Sequence, residues 1–264
     1  MPKTNSCFIT FHPNPRAGLR LFCFPYAGGG PHVFREWTRQ LPPSVEVCAA
    51  QFPGRGARMF EEPFADVAQF VDESLSSLLQ YSDKPFAFFG HSMGALIAFE
   101  LARRLRREGR PPPLHLFVSG RGTLRGLKGE LHRALLSDSE LLEELRRFDG
   151  VPAEVLGNEE LMRIMMPSIR ADFTACERYV YTAEPPLDCP LSAFGGLQDQ
   201  EVSREQLEAW RDETTAAFSC KIFPGGHFFL DTDQPMILRA VAQELSSLTE
   251  STGLGTGGST VTGP

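Results

Sequence analysis

No apolar run in this 264-residue chain approaches the roughly 18 residues of a membrane span. Its first residues, Met1-Pro-Lys-Thr-Asn-Ser-Cys-Phe8, lack the apolar stretch of a secretory signal. There is no large basic block, and the net charge of −7 argues against nucleic acid as a partner. The six cysteines (Cys7, Cys23, Cys48, Cys176, Cys189 and Cys220) are scattered, with neither a C-x-x-C pair nor a Cys/His spacing suited to a metal. Several lie in strand-like runs such as Leu21-Phe-Cys-Phe24, where free cysteine acts as a small buried hydrophobe. These absences predict a cytoplasmic protein without disulfide, metal, cofactor or membrane association. Phosphate-cradling patterns are missing as well. Pro25-Tyr-Ala-Gly-Gly-Gly30 is Gly-rich but has neither the G-x-G-x-x-G nor the G-x-x-x-x-G-K-[ST] spacing.

What is present is an ordinary globular balance, 42% apolar and 22% charged residues, enough to bury one large core. Residues 1–18 are polar and broken by Pro13 and Pro15, and read as a loose N-terminal arm. Residues 19–248 read as one α/β domain, in which strand-like runs (Leu19–Phe24, Val45–Gln51, Phe86–Phe89, Leu114–Gly120, Cys189–Gly195, Phe218–Phe223) alternate with helical patterns (Val33–Leu41, Phe64–Tyr81, Ala95–Arg104, Gln206–Arg211, Pro235–Ser246). The low-complexity stretch 249–264 reads as a disordered tail. Between about 121 and 187 the strand signal stops. Helical stretches at Ser137–Phe148, Pro152–Leu156 and Asn158–Tyr179, the last interrupted by Pro167, predict an insertion over the sheet edge, where lids sit. Met162, Ile164, Met165, Met166, Ile169, Phe173 and Tyr179 suit either an adaptable pocket lining or plain helix packing.

Chemistry centres on Gly90-His-Ser-Met-Gly94, a G-x-S-x-G pattern set between an apolar strand and a helix. In that context the serine sits on a strained turn that presents its hydroxyl, so Ser92 is the candidate nucleophile. A hydroxyl needs a base, and the base needs a third group to hold its tautomer. Of the six histidines, His227 alone lies in a glycine-bounded loop straight after a late strand. His91 adjoins the serine but should point away from it; His12, His32, His115 and His132 are placed elsewhere. In the chain order Ser–Asp–His the acid falls at the end of a strand between the two, which selects Asp199 over Asp188, Glu201 and Asp212, with Asp231 and Asp233 out of order. The oxyanion donors are then the backbone N–H of Met93, after the nucleophile, and of Ala27 in the Gly-rich loop, with Tyr26 as the weaker choice. Arg55 and Arg58, in Phe52-Pro-Gly-Arg-Gly-Ala-Arg58, either meet an anionic group or are solvated loop residues. The cluster Arg103-Arg-Leu-Arg-Arg107 reads as helix capping and solubility, on the side away from the site.

Phe24-Pro-Tyr-Ala-Gly-Gly-Gly30, Phe52-Pro-Gly-Arg55, Phe88-Phe-Gly-His-Ser-Met-Gly94 and Phe223-Pro-Gly-Gly-His-Phe-Phe229 together resemble the type II thioesterases, over most of residues 19–247 and in that family's order. The family comprises stand-alone enzymes of polyketide and nonribosomal peptide synthases and the medium-chain thioesterase of fatty acid synthesis. The resemblance implies an α/β-hydrolase fold, a mostly parallel central sheet flanked by helices with a helical lid. It also implies hydrolysis of acyl thioesters on the phosphopantetheine arm of an acyl or peptidyl carrier protein, for editing or for product release; a monomer is expected. One departure is Gln200, where many relatives carry proline after the aspartate. Competing readings are an esterase or lipase, which would prefer oxoesters; an acyltransferase, which would not yield free acid; and a non-catalytic carrier-binding module, which would bind without turnover.

Overall fold

The computed structural model describes residues 6–81, 83–125, 132–147 and 156–251. Within them, strands β1 (Phe8–Ile9), β2 (Leu19–Phe24), β3 (Val45–Ala50), β4 (Phe86–His91), β5 (Leu116–Ser119), β6 (Leu191–Gly196) and β7 (Phe218–Phe223) form one sheet in the order β1-β3-β2-β4-β5-β6-β7. All neighbours are parallel except β1, which pairs antiparallel with β3. The helices are α1 (Trp37–Gln40), α2 (Val67–Leu78), α3 (Met93–Arg107), α4 (Asp138–Arg147), α5 (Glu159–Arg178), α6 (Arg204–Glu208), α7 (Phe229–Thr232) and α8 (Gln234–Ser251).

A sheet covered on both faces needs apolar residues at consecutive positions. In β2, Phe22 and Phe24 join the core formed with α2 and α3, while Leu19, Leu21 and Cys23 join the core formed with Trp37 and α8. The same alternation splits Phe88 from Ala87 and Phe89 in β4, and Leu116 and Val118 from Phe117 in β5. Helix ends follow their local signals. Asp66 caps α2 through the Ala68 N–H, Asn158 caps α5 through the Leu161 N–H, and Ser203 with Gln206 forms a capping box on α6.

Several boundaries shift from the sequence pattern. The N-terminal arm is anchored, not loose: Cys7 and Phe8 are buried, β1 pairs with β3, and the Cys7 N–H donates to Ser77 Oγ at 2.9 Å. The pattern over Val33–Leu41 becomes a 3₁₀ turn, Pro31–Phe34, followed by the short α1. Helix α5 is continuous through Pro167. The Pro152–Leu156 segment lies largely outside the described residues, as do residues 252–264 of the expected tail; α8 extends to Ser251.

Strand order explains where chemistry can occur. The chain leaves β2 toward β3 on one side and leaves β4 toward β5 on the other, although β2 and β4 are neighbours. The loops after these two strands diverge and open a crevice at their carboxyl ends. Residues 25–30 and Ser92 flank that crevice. The turns after β6 and β7 carry Asp199 and His227 to the same edge.

His115, just before β5, stacks on Phe117 and shares a hydrogen bond of 2.9 Å with Ser192 Oγ. Burial pushes this imidazole down to about 4. The unfolded chain therefore takes up the proton first as pH falls from about 6.5, the ordinary histidine value. Stability conferred by neutral His115 is present above about 6.5 and is lost down to pH 4. Urea midpoints measured across this window should fall on acidification, and His115→Gln should flatten part of that fall.

Candidate active site

The turn from β4 into α3 is built by two glycines. A Cβ on Gly90 would lie 2.1 Å from the Gly94 carbonyl oxygen, and one on Gly94 would lie 2.0 Å from the Phe24 carbonyl oxygen. No side chain fits either gap, so strand, helix and the end of β2 pass backbone to backbone. Ser92 sits between them at φ 54°, the one non-glycine residue with positive φ among those described. Such a conformation costs on the order of 1–3 kcal/mol and persists only where surrounding contacts impose it. Here the Ser92 N–H donates to the Ser119 carbonyl at 2.7 Å.

The three residues singled out as nucleophile, base and acid converge. Ser92 Oγ is 3.1 Å from His227 Nε2, and His227 Nδ1 is 2.9 Å from Asp199 Oδ2. The Asp199 side chain is fully buried, and its Oδ1 accepts the Glu201 N–H at 2.8 Å and the Val202 N–H at 3.3 Å. Gln200 in place of proline leaves this arrangement intact. A carboxylate can only accept, so Nδ1 carries the proton and Nε2 is free to take one from Ser92. Of the rival acids, Glu201 pairs with Arg133 at 2.9 Å, and Asp231 lies beside His32 and Tyr26.

His91 does point away from the serine, and it has a supporting role that its sequence position did not reveal. Its ring is fully buried between Ser119 Oγ (2.9 Å from Nδ1) and the carbonyl of His227 (3.0 Å from Nε2). Burial, together with the neighbouring His227, holds His91 well below the usual histidine range, so it is neutral. The carbonyl requires Nε2–H as donor, and Nδ1 then accepts from the Ser119 hydroxyl. His91 thus ties the His227 loop back to β4, the strand that leads into Ser92.

A cavity of about 720 Å³ opens onto Ser92 and His227, bordered by Ala27, Met93, and residues of the segment between β5 and β6 including Leu145, Leu161, Met165, Ile169, Phe173 and Tyr179. Among the described residues, neither the Ala27 nor the Met93 backbone N–H has a hydrogen-bond partner. The apolar residues of α5 serve the cavity and a small core together. Met165, Ile169 and Phe173 border the cavity, as does Tyr179 just past the helix end; Met162, Met166 and Ile169 form a small core with Leu141, Leu145 and Leu156, against which Met165 and Phe173 also pack; Ile164 is exposed.

Both arginine clusters differ from expectation. Arg55 is neither solvated nor available to an anionic ligand. It is buried and forms a two-pronged pair with Asp172 of α5 (2.7 and 2.8 Å). Arg58 is held by Glu61 and Glu73. In the α3 cluster, Arg103, Arg106 and Arg107 converge on Glu184, and Arg106 also reaches the carbonyls of Pro185 and Pro186. They clamp the returning end of the 121–187 segment onto α3, so their work is structural and not merely capping. Asp172 and Glu184 escaped the sequence reading because their partners lie far away in the chain.

Among the described residues, no group of three His, Cys, Asp or Glu side chains is placed to hold a metal, and no helix is long and apolar enough to cross a membrane. All six cysteines are free. A mostly parallel sheet with serine on a strained strand–helix turn and histidine after the last strand defines an α/β-hydrolase. A thioesterase-domain family model matches residues 19–246, and the chain belongs to that family. It is 42% identical over 245 residues to the gramicidin S biosynthesis protein GrsT of Aneurinibacillus migulanus, covering 92% of this chain and 95% of that one. It is 33% identical over 258 residues to the medium-chain S-acyl fatty acid synthase thioesterase of Rattus norvegicus, covering 94% and 97%. The structure of BorB, a type II thioesterase from the borrelidin biosynthetic cluster, superposes with a TM-score of 0.84 at 36% identity, covering 92% of this chain and all of that one (100%). The protein is a hydrolase of acyl thioesters.

The glycine contacts give a direct test. Gly94→Ala must push the α3 backbone off Phe24, at about 3 kcal/mol or more for an overpacked site that cannot yield. At roughly 2–4 °C per kcal/mol in a chain of this size, thermal melting should register a Tm lower by about 6–12 °C.

Proposed function

We propose that this enzyme hydrolyses acyl groups borne as thioesters on the phosphopantetheine arm of an acyl or peptidyl carrier protein, through a Ser92–His227–Asp199 triad. The observation that carries the triad is the unbroken hydrogen-bond chain from Ser92 Oγ through the His227 ring to buried Asp199. The carrier-protein substrate is supported by the kinship with thioesterases of peptide, polyketide and fatty acid biosynthesis. We assign residues 19–248 to the catalytic domain, with 121–187 as its lid, and take the enzyme to act as a cytoplasmic monomer.

In this mechanism Ser92 Oγ attacks the thioester carbonyl carbon while its proton passes to His227 Nε2. Asp199 stabilises the imidazolium and keeps Nδ1 protonated. The carbonyl electrons move onto oxygen, where the unpartnered N–H groups of Met93 and Ala27 meet the developing charge; each such donor contributes about 3–4 kcal/mol. Collapse re-forms the carbonyl and breaks the C–S bond, and His227 returns the proton to the departing thiol. Water then enters, gives its proton to His227 and attacks the acyl-enzyme, and a second collapse frees the acid and Ser92. The apolar side of the cavity, Leu161, Met165, Ile169 and Phe173, suits an acyl chain.

Assay of acid release from an acyl-carrier protein should show Ser92→Ala reducing turnover by roughly 10⁴-fold or more, and Asp199→Asn by about 10⁴-fold in kcat. Substantial residual turnover by Ser92→Ala would overturn the assignment. Nitrophenyl esters offered alongside should be poorer substrates than acyl-pantetheine thioesters; the reverse order would make the enzyme an esterase.

A further inference from the structure

The buried pair of Arg55 and Asp172 has no part in the chemistry above, yet it is built with more care than a packing contact requires. Asp172 lies in the middle of α5 and is fully buried; the Arg55 side chain is 7% exposed. The guanidinium grips the carboxylate with both terminal nitrogens, Nη1 to Oδ2 at 2.8 Å and Nη2 to Oδ1 at 2.7 Å. Each partner also holds one group of the Gly-rich loop. The Gly28 N–H donates to Asp172 Oδ2 at 2.7 Å, and Arg55 Nη1 donates to the Gly29 carbonyl at 3.1 Å. Ile169, almost one turn earlier on α5, occupies the space beside Gly28, 2.9 Å from where a Cβ would stand. Gly28 itself is at φ +75°.

Isolated charges in a protein interior are costly, and a buried pair often contributes less stability than apolar side chains of the same shape. What apolar side chains lack is the ability to satisfy a backbone N–H and a backbone carbonyl at fixed positions. The Gly28 N–H belongs to the peptide that begins at Ala27, so fixing it fixes the backbone next to the Ala27 N–H. Asp172 does not border the cavity and cannot touch substrate.

We propose that Arg55 and Asp172 are positioning residues for the oxyanion loop, through which helix α5 sets the direction of the Ala27 N–H, so that the site is assembled only while α5 is seated. This rests on the assignment of Ala27 as an oxyanion donor. Lid placement and transition-state stabilisation are then one event, since an α5 that lifts away takes Asp172 from Gly28.

The test uses the full chain, an acyl N-acetylcysteamine thioester as substrate, and a trifluoromethyl ketone that forms a tetrahedral adduct with the serine. Arg55→Met/Asp172→Leu replaces the pair by apolar side chains and should remain folded by circular dichroism, melting below the wild type because the Gly28 N–H and the Gly29 carbonyl lose their partners. Its kcat should fall about 10- to 100-fold with KM within about threefold, because the lost interaction acts on the transition state. Affinity for the ketone should fall in parallel. Asp172→Asn, which preserves shape and one acceptor, should fall between wild type and the double variant. Wild-type kcat in either folded variant, a loss confined to KM, or unchanged ketone affinity would overturn the proposal. Ser92→Ala serves as the separate control: if it retains turnover, the triad reading itself fails, whereas loss of turnover there with full activity in the pair variants sinks only the positioning role.

Discussion

Helix α3 and the end of β2 meet backbone to backbone at Gly94 and Phe24, a contact that excludes every side chain. This closeness brings the turn carrying Ser92 alongside the loop at residues 25–30, and the rest of the site depends on it. With strand order reversing between β2 and β4, the two loops diverge around Ser92, and Ala27 and Met93 both border the cavity there. The strain at Ser92 is the local consequence, offset by the hydrogen bond to Ser119 and by close packing on both sheet faces.

Around this contact, buried polar groups do what apolar packing cannot. Neutral His91 joins the Ser119 hydroxyl to the carbonyl of His227, so the His227 loop hangs from β4 and β5 beside Ser92. Asp199 is satisfied by two backbone N–H groups before it meets the imidazole. Both arrangements are pre-formed, which is where electrostatic catalysis gains, because little reorganisation remains for the moment of reaction.

The helical segment between β5 and β6 is attached by different physics at its different parts. Leu141, Leu145, Leu156, Met162, Met166 and Ile169 give it a small core of its own. Its returning end is clamped to α3 by arginines on Glu184, and its middle touches the Gly-rich loop through Asp172. Helix α5 keeps Met162 and Met166 in that core while Met165 and Phe173 border the 720 Å³ cavity, with Ile169 shared between the two.

The sequence by itself determined the α/β class, the positions of most strands and long helices, and the three residues of the hydrogen-bonded chain. These signals are local: a strand running into Gly90-His-Ser-Met-Gly94, a histidine just after a late strand, an aspartate in the turn after the strand before it. Tertiary structure alone decided the partners of Arg55, the role of His91, the clamp at Glu184 and the anchoring of Cys7 and Phe8 in the N-terminal arm. Each of these depends on which distant segments meet. Arg55 and Asp172 are separated by 117 residues, and nothing near either one announces the other. The inward and outward faces of α5 were likewise undecided by spacing. A helical stripe of Met, Ile and Phe looks the same whether it lines a cavity or fills a core, and only the placement of α4 and the Gly-rich loop against it separates the two.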